Sequence, residues 1–164
     1  MNSHTFISTR GQAPAASFAE VLLAGLAPDG GLYLPQAWPQ FSAAELEAFE
    51  GLPYQEAAYR VLSRFTGPSF SEAELREAIA AAYADFDVPQ IAPLSEIAEG
   101  QYLLELFHGP TLAFKDIALQ VLGSFSAAPW PSAVVAPPWW PRPAVTPAPP
   151  PSRPWAGCPT SMSS

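Results

Sequence analysis

Gln101-Tyr-Leu-Leu-Glu-Leu-Phe-His-Gly-Pro-Thr-Leu-Ala-Phe-Lys-Asp116 is the stretch that decides how this chain is to be folded on paper. Its first six residues, Gln101–Leu106, are mostly apolar and predict a strand. His108-Gly109-Pro110 predicts a turn. From Phe114 to Leu122 the composition is helix-forming, with Ile117, Val121 and Leu122 on one side. Strand, Gly-Pro turn, helix is the layout in which open α/β folds place ligands, outside the carboxyl end of a strand. Lys115 stands at that junction and is the only lysine of the chain. Flanked by Phe114 and followed by Asp116, it is open to partial desolvation. Burial favours the neutral form of an amine, which is the form that attacks a carbonyl to make a Schiff base. The competing reading is a surface lysine opening an amphipathic helix beside an aspartate, and spacing alone favours that one.

Upstream, three helix starts carry the same signature. Ser17-Phe-Ala-Glu20, Ser42-Ala-Ala-Glu45 and Ser71-Glu-Ala-Glu74 each fit a capping box, in which serine and glutamate satisfy each other's free amides. The first predicts a short apolar helix over Phe18–Leu26. The second predicts a helix striped by Leu46 and Phe49 and stopped by Gly51. Pro53 suits the first turn of a further helix, with Ala57, Ala58, Val61, Leu62 and Phe65 on one face and Gly67-Pro68 at its end. The third opens the clearest helix, in which Leu75, Ile79, Ala82, Tyr83 and Phe86 recur at helical spacing. These stripes are read as core packing. Asp29-Gly30-Gly31 predicts a tight turn before a short strand, Leu32-Tyr33-Leu34, closed by Pro35.

Composition narrows the function classes. All 15 acidic residues lie between Glu20 and Asp116, and five of the seven basic ones accompany them; Arg142 and Arg153 fall in the remainder. A body so acidic excludes nucleic acid and an anionic membrane surface as partners, because both select clustered Lys and Arg. Cys158 is the only cysteine, so neither an intramolecular disulfide nor a thiolate metal cluster is expected. His4 and His108 are too few and too far apart for a zinc site, so no metal is expected. No apolar run reaches the roughly 18 residues of a membrane span. No charged-then-apolar leader opens the chain, so the expected compartment is the cytoplasm.

Leu106-Phe-His-Gly-Pro-Thr-Leu-Ala-Phe-Lys-Asp116 closely resembles the lysine motif of the threonine synthases, a pyridoxal-phosphate family of the tryptophan-synthase-β-like fold. Ser8-Thr-Arg-Gly11 and Asp29-Gly-Gly-Leu-Tyr-Leu-Pro35 are similar to that family's amino-terminal domain, so the resemblance covers about residues 5–123. It implies an α/β protein: a mainly helical amino-terminal domain with short strands (1–92), the start of a truncated fold type II catalytic domain (93–123), and a disordered tail (124–164). It implies that Lys115 bonds the cofactor pyridoxal 5'-phosphate, with Phe114 and Asp116 beside it in the cofactor site and Asp116 supporting rather than catalytic. His108, Gly109 and Pro110 match the turn that shapes the substrate site. The family converts O-phosphohomoserine and water into threonine and phosphate, the cofactor serving as electron sink.

Near Gly123 the resemblance stops. The family pattern next requires a long α/β segment with a Ser-Gly-Asp-Thr-Gly loop, donors for the cofactor phosphate and a polar partner for the pyridine nitrogen. This chain has instead Trp130, Trp139-Trp140, Pro137-Pro138 and Pro149-Pro150-Pro151, with no acid and no lysine; 12 of its 21 prolines and four of its five tryptophans lie there. Such prolines remove backbone donors and leave little helical or strand period. One lysine without a phosphate cradle does not hold or orient the cofactor, so the chain alone is expected to be inactive.

A shift of reading frame accounts for the break. If each codon starts on the third base of the one before, Pro138–Trp155 is compatible with Val-Val-Ala, small residues, Ser-Gly-Asp-Thr-Gly and Ala-Ala-Ile-Glu-Ala. Ala156–Ser163 continues as Gly-Gly-Leu-Pro-Asn-Val-Asp-Val, again family-like. The tail is therefore expected to be a threonine synthase gene read out of frame. The alternative is a small helical interaction domain without enzymatic role, whose Pro138-Trp-Trp-Pro141 and Pro147-Ala-Pro-Pro150 serve as polyproline ligands. Two outcomes stay open for the body: a domain that folds by itself, or one destabilised because the strand at Gln101–Leu106 lacks sheet neighbours.

Overall fold

The computed structural model describes residues 4–127. The expectation of a disordered tail from residue 124 is corrected over its first four residues, which continue a helix that buries Phe125 in the core; the expectations for 128–164, polyproline recognition among them, lie outside the described residues. Three short strands near the amino terminus form an antiparallel sheet in the order β2-β1-β3: β1 (Thr5–Ser8), β2 (Ala16–Ser17) and β3 (Tyr33–Pro35). In register, Ile7 faces Leu34 and Ser8 faces Tyr33. The pairing brings Ser8-Thr-Arg-Gly11 onto Asp29-Gly-Gly31. Ser8 donates its hydroxyl to Asp29 Oδ1 at 2.7 Å. The same carboxylate accepts from the amides of Gln12 and Ala13 at 3.0 Å and of Gly31 at 2.9 Å. Gly31 is glycine because a Cβ there would stand 2.2 Å from Ser8 Oγ.

All three capping boxes are present. Ser17 begins α1 (Phe18–Ala24), Ser42 begins α2 (Ala43–Glu47) and Ser71 begins α4 (Glu72–Ala82). The cap amides of Ser17, Ser42 and Ser71 donate to Glu20, Glu45 and Glu74 at 2.7, 2.8 and 2.8 Å. Helix α3 (Tyr54–Thr66) starts one residue later than expected, with Pro53 as the cap itself, its carbonyl accepting from the amides of Glu56 and Ala57. Gly67 ends it at φ 51°, pressed so near the His4 ring that a Cβ would lie 2.3 Å from Cγ.

The core sits where α4 meets α5 (Asp116–Ala127). Leu75, Ala78, Ile79, Ala82 and Tyr83 from the α4 side join Val121 and Phe125 of α5, with Phe70 and Ile91 completing the cluster. Leu75 and Ile79 are only 2% and 1% exposed. Phe70 stacks on Phe125 at 4.8 Å between ring centres, and Phe18 meets Phe125 edge-on at 5.8 Å. The α4 stripe thus packs as its spacing predicts, whereas the α2 stripe does not: α2 stops before Phe49, and Leu46 is exposed. Five residues give too little helix to hold both side chains against one surface.

The strands differ from expectation at both ends: β1 and β2 were not anticipated, and β3 takes in Pro35, which was expected to close it, and leaves out Leu32. The sequence Gln101–Leu106 forms β5 only over Gln101–Leu104, and it pairs antiparallel with β4 (Leu94–Ala98), which the sequence reading missed. Leu94 faces Leu104 and Glu96 faces Tyr102. The hairpin is closed through Gly100 at φ 68°. Strand pairing by a local hairpin needs no crossover, so β5 finds a partner without the parallel neighbours it was expected to require. Leu94, Ile97, Tyr102, Leu103 and Leu104 nevertheless remain exposed. Between α1, α3 and α5 an apolar cleft of about 610 Å³ is lined by Phe18, Tyr54, Val61, Leu62, Val121 and Leu122 among others.

Candidate functional site

The segment from Gly109 to Asp116 folds as a closed loop between the hairpin and α5. Its closure comes from Asp116, the first residue of α5 and only 2% exposed. Both carboxylate oxygens turn back along the chain. Oδ2 accepts from the Thr111 amide at 2.8 Å, and Oδ1 accepts from the Thr111 hydroxyl at 2.8 Å and the Gln120 amide group at 3.4 Å. Burial pushes this carboxyl up, but its hydrogen bonds, those of the Thr111 hydroxyl and amide first, together outweigh it and hold the group below the usual carboxylate range. A negative charge in the first turn also suits the positive end of the helix dipole.

Lys115 immediately precedes α5. Its carbonyl accepts from the amides of Ala118 at 3.1 Å and Leu119 at 2.8 Å, so its backbone is fixed by the first turn. Its side chain is exposed and makes no ion pair among the described residues. The burial expected for it is not found: Lys115 is exposed, and Phe114 beside it is 65% exposed. Gly109 is buried because Asp116 occupies the space a side chain would need; a Cβ would lie 2.5 Å from Asp116 Cβ. Pro110 is exposed. Leu112 takes the left-handed conformation at φ 59°, its amide donating to the Gly109 carbonyl at 3.0 Å.

His108 is held apart from this loop. Its Nε2 lies 2.7 Å from Glu105 Oε2, and Glu105 also accepts from the Ser95 hydroxyl. These two contacts, the hydroxyl first, hold the Glu105 carboxyl below its usual range. The His108 carbonyl accepts from the Asp87 amide at 2.9 Å, linking the turn to the segment after α4. The structure therefore gathers Gly109, Thr111 and Asp116 into one unit ahead of Lys115, and joins His108 to a separate Ser95–Glu105 pair. Thr111, Glu105 and Ser95 were missed. For Thr111 the signal was present: a hydroxyl residue five positions before an aspartate at a helix start. For Ser95 there was none, because the hairpin that carries it was not expected.

No group of three or more His, Cys, Asp or Glu side chains able to hold a metal ion occurs among the described residues. None of their helices is long and apolar enough to cross a membrane.

Comparison with known proteins agrees with the motif. The family described as Threonine synthase N terminus matches residues 5–83. Threonine synthase of Pseudomonas aeruginosa is 51% identical over 118 residues, covering 72% of this chain and 25% of that protein. The crystal structure of PLP-bound threonine synthase from Brucella melitensis superimposes with a TM-score of 0.72 at 47% identity, covering 74% of this chain and 26% of its own. Yeast threonine synthase gives a TM-score of 0.71 at 36% identity, with 76% and 26% covered. None of these matches favours the interaction-domain alternative. Over residues 5–83 the chain matches the threonine synthase amino-terminal family, and it spans about a quarter of the length of the threonine synthases it is similar to.

Proposed function

We propose that this chain is the amino-terminal part of a cytoplasmic, pyridoxal-phosphate-dependent threonine synthase acting on O-phosphohomoserine, and that Lys115 is the residue that bonds the cofactor. The observation that carries the reading is the placement of the chain's single lysine, exposed and without an ion pair among the described residues, at the head of a helix anchored in the core. Residues 1–92 form the supporting amino-terminal domain, and residues 93–123 begin the catalytic one.

The residues present fit the aldehyde end of the cofactor, since the amine of Lys115 is free to approach a carbonyl. Among the described residues there is no comparable cradle for its phosphate. The helix end next to Lys115 is occupied by the Asp116 carboxylate. Arg60 and Arg76 are engaged by Glu56, and Arg64 by Glu45. Arg10 donates to the Asp29 carbonyl. When bound, the cofactor supplies an electron sink for substrate carbanion chemistry. This chain supplies the amine, the loop that presents it through Asp116 and Thr111, and the His108–Glu105 pair at the edge of the turn. Phe114, exposed beside Lys115, offers an apolar flank.

The chain alone does not complete the reaction, because a free amine without phosphate donors gives proximity without orientation. Incubation with pyridoxal phosphate and O-phosphohomoserine is expected to release phosphate at the background rate. Tight, stoichiometric borohydride-fixed labelling of Lys115 together with phosphate release would overturn that inactivity.

A further inference from the structure

We infer that Asp116 is a positioning residue for Lys115: its buried carboxylate takes both donors of Thr111 and so fixes the loop that sets where the lysine side chain departs. The inference rests on the assignment of Lys115 above but concerns the chain's own loop, with no cofactor needed to observe it.

Three observations converge on the same carboxylate. First, Asp116 is 2% exposed, and its carboxylate has no cationic partner among the described residues; its donors include the Thr111 amide and hydroxyl and the Gln120 amide group. A buried carboxylate held by neutral donors is costly to keep unless its geometry is needed. Second, the loop gives up a side chain to admit it, because any Cβ on Gly109 would stand 2.6 Å from Asp116 Oδ2. Third, the loop is bent at Leu112, a leucine in the left-handed region and 68% exposed, so its own side chain does not fix that conformation. The Thr111 contacts lie directly before this bend, and the Lys115 backbone lies directly after it. Releasing Thr111 frees residues 110–114 to relax away from the left-handed turn. The anchor at the far end stays put, because α5 is held by Val121 and Phe125 in the core.

The test uses the full chain and three variants. Asp116→Ala removes every acceptor. Thr111→Val removes only the hydroxyl contact, at an exposed position, and serves if the first variant does not fold. Asp116→Asn keeps the shape: its carbonyl accepts from the Thr111 amide, and its amide group donates to the Thr111 hydroxyl. Amide exchange at Thr111 and Leu112 is read by NMR, alongside the initial rate at which pyridoxal phosphate with borohydride labels Lys115, which mass mapping assigns without ambiguity in a single-lysine chain. Loss of a buried contact of this kind is expected to speed exchange by about tenfold in Asp116→Ala and less in Thr111→Val. The labelling rate shifts in the same two variants, and Asp116→Asn returns both readouts to within about threefold of the parent. Unchanged exchange and labelling in Asp116→Ala or Thr111→Val, or an Asp116→Asn variant as altered as Asp116→Ala, would overturn the inference. Exchange that responds while Lys115 is never labelled, in the parent or any variant, would leave the loop clamp standing and count against Lys115 as the cofactor lysine.

Discussion

The hydroxyl of Tyr83 donates to the carbonyl of Ile117 across 3.1 Å, tying the end of α4 to the first turn of the helix that Lys115 precedes. Tyr83 is itself 6% exposed and edge-packed against Tyr54 and Phe86 at 5.1 and 5.3 Å. The amino-terminal helices thereby fix the axis on which the lysine is mounted. Tyr83→Phe keeps the ring packing and deletes the hydroxyl's bond to Ile117, together with its contact to Tyr54. It is expected to cost about 1 kcal/mol, read as a drop of roughly 3–5 °C in the thermal midpoint. A variant as stable as the parent would show that this bond does not tie the two helices.

The core between α4 and α5 carries a larger share of the stability. Ile79, 1% exposed, packs where the two helices meet. Ile79→Ala leaves a cavity and is expected to cost about 2–5 kcal/mol, a large part of the roughly 5–15 kcal/mol typical of a folded domain. Far-UV circular dichroism in a denaturant series measures it. A loss below about 1 kcal/mol would mean that this face is not packed as described.

Acid sensitivity follows from the carboxylates. The Ser42 amide, followed by Arg64 and the Ser42 hydroxyl, holds Glu45 down to about 2. Ser17 and Ser71 lower Glu20 and Glu74, and the Ser8 hydroxyl lowers Asp29. In the unfolded chain these groups return to about 4. A carboxyl depressed by folding adds stability above its unfolded value and loses it as the pH falls through its folded one. The denaturant midpoint is therefore expected to be flat near neutrality and to fall progressively from about pH 5 downward. Glu45→Gln is expected to make that fall shallower. A midpoint that holds or rises on acidification would contradict these contacts.

Gly31 tests the joint between the two amino-terminal motifs. A methyl group there would collide with Ser8 Oγ at 2.2 Å and crowd Asp29 Oδ1 at 3.0 Å and the Arg10 amide at 3.1 Å. Gly31→Ala is expected to cost about 1–3 kcal/mol, as overpacking does, and to expose the amides of Gln12 and Ala13 to exchange. Retained protection at both amides would show that the joint tolerates the methyl group.

Local chemistry was the legible part of the sequence. Each Ser-x-x-Glu box reports itself within four residues, and the α4 stripe needs only its own period to show which face is buried. Ser8 and Asp29 were recognisable as family motifs, yet their contact was not, because 21 residues separate them and only the β1–β3 pairing closes that gap. The hairpin was half legible: Gln101–Leu104 has strand composition, but Leu94-Ser-Glu-Ile-Ala98 does not alternate cleanly, so its partner stayed hidden. At the site, Lys115 was found from its junction and family motif. Its environment was not, since exposure depends on what lies over that face. Thr111 escaped because its role arises only when the loop folds back onto Asp116.

The assignment of Lys115 as the cofactor lysine can be put to a working enzyme. Residues 5–123 should replace the matching segment of the Pseudomonas aeruginosa relative, and phosphate release from O-phosphohomoserine should be measured with and without Lys115→Ala. With Lys115 in that role, the transplant turns over, and removing Lys115 costs about a thousandfold or more. A folded transplant whose turnover survives Lys115→Ala, or one that is inactive with Lys115 intact, would contradict the assignment.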